Sequence, residues 1–181
     1  MIAITGGAAS GKSTILHALA DRGWATISAD QVVADLWLDE TFLVGVAEVF
    51  DTARPTRELV RAAILREPAK RRALNELSHR HVIHTIFTSG SDVAEVPLLI
   101  EAGLFHRFNE VWVCSCDRET QLKRLQGRGF SLEDAGALLA TQVADSVRCS
   151  FADEIFRTNG ERSNVLSQID LALRRSRTQD R

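Results

Sequence analysis

An α/β fold with a central five-stranded parallel sheet and helices on both faces is what this sequence predicts, and three observations carry the prediction. Short apolar runs alternate with segments of helical periodicity along the chain, the pattern that builds a parallel sheet covered on both sides. The first such run, Met1 to Thr5, leads directly into the glycine-rich stretch Gly6-Gly7-Ala8-Ala9-Ser10-Gly11-Lys12-Ser13 and then into a helix-like segment from Thr14. Between the second and third runs lies a stretch from Gln31 to Ser89 that is mostly helical in pattern and too long for a simple crossover.

The strands are expected at residues 1–5, 24–28, 93–96, 111–116 and near 155–156. In such a sheet ligands gather at the carboxyl ends of the strands, and the glycine-rich stretch stands at one of these ends. The 31–89 stretch is expected to be a helical substrate-binding insertion within a single domain of residues 1–181. Two helices, 119–128 and 132–147, are expected after the fourth strand, joined by Gly129-Phe130-Ser131, with Ser131 and Asp134 at capping spacing. This hairpin, residues 117–148, suits a mobile lid. A last helix, 163–174, is expected to run into the polar and frayed tail from Arg174 to Arg181.

Composition sets limits. With 181 residues, 45% of them hydrophobic, the chain can bury one sizeable core. A formal net charge of −2 argues against a generic nucleic-acid binder, which would usually carry a basic excess. No leader or membrane-spanning pattern is read, so a cytoplasmic protein is expected. Three cysteines, Cys114, Cys116 and Cys149, are too few and too oddly spaced for a disulfide framework or a zinc site; Cys114 and Cys116 are expected as small core residues.

Gly6 to Ser13 is a complete G-x-x-x-x-G-K-[ST] match, in the strand–loop–helix setting it requires. Glycines at the ends let the backbone curl until successive N–H groups face one anion, and the helix beginning near Lys12 adds its positive dipole end. Lys12 is placed to reach the β- and γ-phosphates of a nucleoside triphosphate, and the Ser13 hydroxyl to bind Mg²⁺. The chain has only three lysines, Lys12, Lys70 and Lys123, so a lysine at this position stands out. Asp30, after the second strand, is placed either to face an acceptor hydroxyl as a base or to cap a helix. Glu95 can hold Mg²⁺ through water or orient a neighbour.

The stretch Thr5-Gly6-Gly7 through Gly11-Lys12-Ser13, Ala29-Asp30, Pro97-Leu98-Leu99-Ile100-Glu101, Gln121-Leu122-Lys123-Arg124-Leu125 with Arg128, Gln142, and Ala152-Asp153 resembles the dephospho-CoA kinase family in order and approximate spacing over nearly the whole chain. The resemblance implies a P-loop kinase fold and transfer of the ATP γ-phosphoryl group to the ribose 3′-hydroxyl of dephospho-CoA, with Mg²⁺. It implies that residues Gly6 to Thr14 (Gly6, Gly7, Ala8, Ala9, Ser10, Gly11, Lys12, Ser13, Thr14) with Arg124, Arg128 and Arg148 hold ATP. It further implies that Lys12 and Asp30 are catalytic, that Asp30, His79, Leu98 and Glu101 meet the acceptor, and that Ser13 and Glu95 serve the metal. The partner is a small molecule, with neither nucleic acid nor membrane, and the chain is expected as a monomer. The sequence departs from the family pattern at Ala9, where glycine is common and where alanine is tolerable if its φ is negative, at Arg80 after His79, in an insertion shortened around Asp51 to Arg57, at Leu138, where relatives usually carry a lid arginine, and at Thr158-Asn159-Gly160, which shifts the expected asparagine of the adenine site by one place. Another small-molecule kinase, or an ATP-binding protein without turnover, is the alternative reading.

Overall fold

The computed structural model describes residues 1–64 and 66–179, with side chains to Arg175. Asp180 and Arg181, the end of the expected tail, lie outside the described residues. The chain divides into two compact units, one formed by Met1–Thr26 with Ser91–Arg181, the other by Ile27–Gly90.

Five strands, β1 (Ile2–Gly6), β2 (Thr26–Ser28), β3 (Val93–Glu95), β4 (Glu110–Ser115) and β5 (Glu154–Arg157), form one sheet in the order β2-β3-β1-β4-β5. β1 pairs parallel with β3 and with β4, and β4 pairs parallel with β5. β1 is buried along its whole length, as a central strand covered on both faces must be. One side of it is filled by Ile4, Ile15, Leu19, Trp112, Phe156 and Ile169, contributed by three strands and by the helices α1 (Lys12–Ala20) and α9 (Arg162–Gln179). The Trp112 and Phe156 rings lie 5.1 Å apart in that layer.

The second unit is helical apart from the end of β2: α2 (Ala29–Leu36), α3 (Glu40–Phe50), α4 (Arg57–Ile64) and α5 (Pro68–Thr88). α5 opens on a proline, where the missing N–H costs nothing, and packs against the other three helices. Gly45 allows the α3 contact, because a Cβ there would lie 2.9 Å from Leu77. Phe42 fills the interior, with Trp37 and His81 packed edge-on to its ring. Asp39 caps α3 through the Phe42 N–H.

After β4 the chain forms α6 (Arg118–Gln126), α7 (Leu132–Ala140) and α8 (Asp145–Cys149). Ser131 caps α7 by accepting the Asp134 N–H at 3.0 Å, at the expected place. The expected helix 132–147 is in fact two. The apolar period of 132–147 reads as continuous, but Thr141 ends α7, with its hydroxyl donating back to the Leu138 carbonyl, and Asp145 restarts the helix while accepting from Ser115. The last helix also differs from expectation: α9 continues past Arg174 to Gln179, since no glycine or proline interrupts it. β2 begins at Thr26 rather than at residue 24. Among the described residues no helix is long and apolar enough to cross a membrane.

Candidate active site

The phosphate loop runs from the end of β1 to the first turn of α1, so its amides and the positive end of that helix meet. Its glycines are demanded by neighbours. A Cβ on Gly6, whose φ is +152°, would lie 2.5 Å from the Cys114 carbonyl oxygen, and one on Gly7 would lie 2.6 Å from Gln121 Nε2.

Ala9 does not meet the condition of a negative φ, since its φ is +56°, in the left-handed region. Steric crowding of its Cβ there costs about 1–2 kcal/mol. Burial offsets part of that cost, because the Ala9 methyl packs with Leu125, Ala135 and Leu139, and Leu138 lies against the same cluster. Two of the departures from the family pattern in this unit, Ala9 and Leu138, thus share one apolar contact between the loop and α7.

Lys12 Nζ donates to the carbonyls of Gly6 and Gly7 at 3.1 and 3.0 Å, so the ammonium is folded over the loop it serves. The Ser13 hydroxyl donates to Glu95 Oε1 at 3.4 Å, and Glu95 is buried at the end of β3. A hydroxyl and a buried carboxylate side by side are hard oxygen donors of the kind that Mg²⁺ takes, directly or through water. Ser10 Oγ is buried inside the loop with no hydrogen-bond partner among the described residues.

Arginines surround this loop. α6 ends at Gln126, short of the expected 128, so Arg124 on α6 and Arg128 in the turn that follows it line a cavity of about 320 Å³ together with Gly11, Thr14, Thr158 and Gly160. Arg124 donates to the Ala9 carbonyl at 3.0 Å and to the Thr158 carbonyl, whereas Arg128 is exposed. Arg148 is buried, 3% exposed, and donates to Glu101 at 2.8 Å; its Nε has no partner among the described residues. A Cβ on Gly7 would sit 3.3 Å from Arg148 Nη1, which places that guanidinium over the loop. Leu98, in the turn after β3, is half exposed, and the neighbouring Pro97 carbonyl is held by Thr5 Oγ1.

Asp30 and His79 belong to the helical unit. Asp30 is exposed in the first turn of α2, and the capping position is Ser28, so the capping alternative does not describe it. His79 is exposed on α5, while His81 on the same helix hydrogen-bonds the Leu77 carbonyl and packs on Phe42.

Cys114 and Cys116 are buried in the core, as expected, and Cys149 is partly buried. Burial pushes the Cys114 thiol up to about 12, and it pushes Cys116 and Cys149 upward as well. None is poised as a nucleophile, which requires the thiolate.

Sequence reasoning noted Thr158 only as the neighbour of Asn159 and missed its role, a hydroxyl that donates to the Ser10 carbonyl at 2.6 Å, and it missed Ser115, which links Asp145 and Arg157. Neither belongs to a contiguous motif. Their only signal is position, at or just past the carboxyl end of a strand.

Comparison with known proteins agrees with this geometry. A family profile described as dephospho-CoA kinase matches residues 1–164. A Streptococcus mutans protein named dephospho-CoA kinase is 33% identical over 97% of this chain and 96% of its own length. One of the same name from Symbiobacterium thermophilum is 35% identical over 96% of this chain and 80% of its own. Among solved structures, the dephospho-CoA kinase from Campylobacter jejuni superposes with a TM-score of 0.72 at 21% identity, covering 99% of this chain and 98% of that one. A shikimate kinase from Acinetobacter baumannii shares the fold, with a TM-score of 0.61 at 18% identity and coverage of 97% and 93%. The match of the family profile over most of the chain, and of relatives above 30% identity along nearly all of it, shows that the chain belongs to the dephospho-CoA kinase family.

Proposed function

We propose that this chain phosphorylates the ribose 3′-hydroxyl of dephospho-CoA at the expense of ATP and yields coenzyme A and ADP. The observation that carries the reading is the phosphate loop at the start of α1, with Lys12 folded over it and the Ser13 hydroxyl beside the buried Glu95 carboxylate.

Phosphoryl transfer asks little covalent chemistry of a protein, so positioning and charge neutralisation supply most of the acceleration. The loop amides and Lys12 hold the β- and γ-phosphates. Arg124 and Arg128 flank the nucleotide side of the loop, and Arg148 meets the phosphates from the other. Ser13 and Glu95 fit Mg²⁺, which when bound neutralises phosphate charge. As the ribose oxygen bonds to the γ-phosphorus, the bond from that phosphorus to the oxygen shared with ADP breaks, and Asp30 accepts the hydroxyl proton. His79, Leu98 and Glu101 contact the acceptor.

Incubating the protein with ATP, Mg²⁺ and dephospho-CoA should give coenzyme A, detected by mass spectrometry. No product above a Lys12→Ala control would refute the reading.

A further inference from the structure

We infer that Gln121, Arg124 and Thr158 are positioning residues for the nucleotide, because they hold three successive carbonyls of the phosphate loop outward and so aim the amides of Ala9, Ser10 and Gly11 inward. The inference rests on the ATP reading above. Gln121 Nε2 donates to the Ala8 carbonyl at 2.9 Å, Arg124 Nη1 to the Ala9 carbonyl at 3.0 Å, and Thr158 Oγ1 to the Ser10 carbonyl at 2.6 Å.

The consequence follows from peptide geometry. A planar trans peptide points its C=O and the following N–H to opposite sides. Each carbonyl fastened outward therefore turns the next amide the other way. The Ser10 N–H is turned to the side of Lys12, since it meets at 3.2 Å the Gly7 carbonyl to which Lys12 Nζ also donates. That contact is at the long end of the usual range, and a charged phosphate oxygen is the stronger acceptor.

The start of the array is fixed too. Gln142 Oε1 accepts the Ala8 N–H at 2.9 Å, so both polar groups of Ala8 are held by glutamine amides. Gly7 makes room for both, since a Cβ there would lie 2.6 Å from Gln121 Nε2 and 3.3 Å from Gln142 Oε1. Gln121 and Arg124 are three residues apart on α6 and so share a face. Thr158 reaches the loop from just past β5 and is itself buried.

Without these donors a loop carbonyl is free to turn inward, and its partial negative charge would then face the triphosphate. The role is thus separate from any direct contact with phosphate, and it concerns binding more than chemistry.

Three variants of the full chain test it by calorimetric titration with ATP and Mg²⁺. Thr158→Val keeps the side-chain shape and removes the hydroxyl, Thr158→Ser keeps the hydroxyl, and Gln121→Met keeps length at a half-buried site while removing the donor. Thr158→Val and Gln121→Met should each raise the Kd for ATP about tenfold, because a loop carbonyl is left unheld. Thr158→Ser should stay within about twofold of wild type. In turnover assays the KM for ATP should rise more than kcat falls. A purely structural role would lower Tm and leave the Kd unchanged. Wild-type ATP affinity in both Thr158→Val and Gln121→Met overturns the inference, and Gln121→Met decides alone if Thr158→Val does not fold. A wild-type chain that binds no ATP would overturn the ATP reading itself, and the inference with it.

Discussion

Around the carboxyl ends of the strands, Thr5, Ser10, Glu95, Ser115, Arg148 and Thr158 are buried, whereas the polar residues singled out in Ile27–Gly90, Asp30 and His79, stand exposed. Every polar residue buried among the described ones falls in the sheet-containing unit. Burying a polar group is costly unless it is hydrogen-bonded, and most of these six are bonded to the phosphate loop, to its neighbours or to one another. The contrast is between polar groups already held in place by hydrogen bonds and polar groups that meet solvent. Preorganised donors serve charge that is always present, such as a triphosphate.

Lys12→Ala should break the prepared half most severely. One preorganised charge near the transferred group is worth about 10³ in kcat/KM, and steady-state kinetics with ATP and dephospho-CoA would measure the loss. Wild-type kinetics in this variant would remove the phosphate loop from the mechanism.

Asp30→Asn tests the exposed half. In the proposed reaction its carboxylate acts on the acceptor hydroxyl, so kcat should fall about 10²-fold while ATP titration shows unchanged affinity. Unchanged turnover would leave Asp30 with the lesser duty of complementing the dipole of α2, in whose first turn it lies.

What could be read from the sequence divides along the same line. The phosphate loop was legible because the spacing of Gly6, Gly7, Gly11, Lys12 and Ser13 is local, although the groups that crowd Gly6 and Gly7, the Cys114 carbonyl and the Gln121 amide, are distant in sequence. The strand order was not, although the sheet was, since β3 lies beside β1 only after the chain has passed through the whole of Ile27–Gly90. Ala9 resisted reading for a related reason. Its positive φ is held from outside, by Arg124 on its carbonyl and by the Leu125, Ala135 and Leu139 side chains on its methyl, all more than a hundred residues away. The break at 141–144 is likewise set by distant partners, with Gln142 reaching Ala8 and Asp145 reaching Ser115.

A smaller effect is expected where the prepared half meets partial solvent. Glu101→Gln removes the charge opposite the buried Arg148 guanidinium, whose side chain is 3% exposed against 20% for Glu101. Complete loss of a partner from a buried pair costs about 3–5 kcal/mol. An amide oxygen still accepts here and water reaches Glu101, so about 2 kcal/mol is expected. Thermal unfolding should register this as a drop of roughly 4–8 °C. A Tm within a degree of wild type would mean that the Arg148 charge is held by something other than Glu101.

Leu138→Arg should have the smallest effect, and it asks whether an apolar contact has taken the place of a charge. Leu138 is half-buried against the cluster of Ala9, Leu125, Ala135 and Leu139, in the position where the family resemblance leads to the expectation of a lid arginine. An arginine stem can cover part of the same apolar surface while its head reaches polar surroundings. The fold should therefore survive, with about 1 kcal/mol lost from imperfect packing and a Tm lower by roughly 2–4 °C. Arginines supplied to phosphoryl-transfer sites are worth about 10³–10⁵ when nothing else does their work. Here Arg124 and Arg148 already lie against the loop, so kcat should rise only about fivefold, with KM for ATP changed little. A gain of a hundredfold or more in kcat would show that the natural chain is short of a charge. A fall in kcat would show instead that the grip of Leu138 on the loop contributes more to turnover than an added cation can.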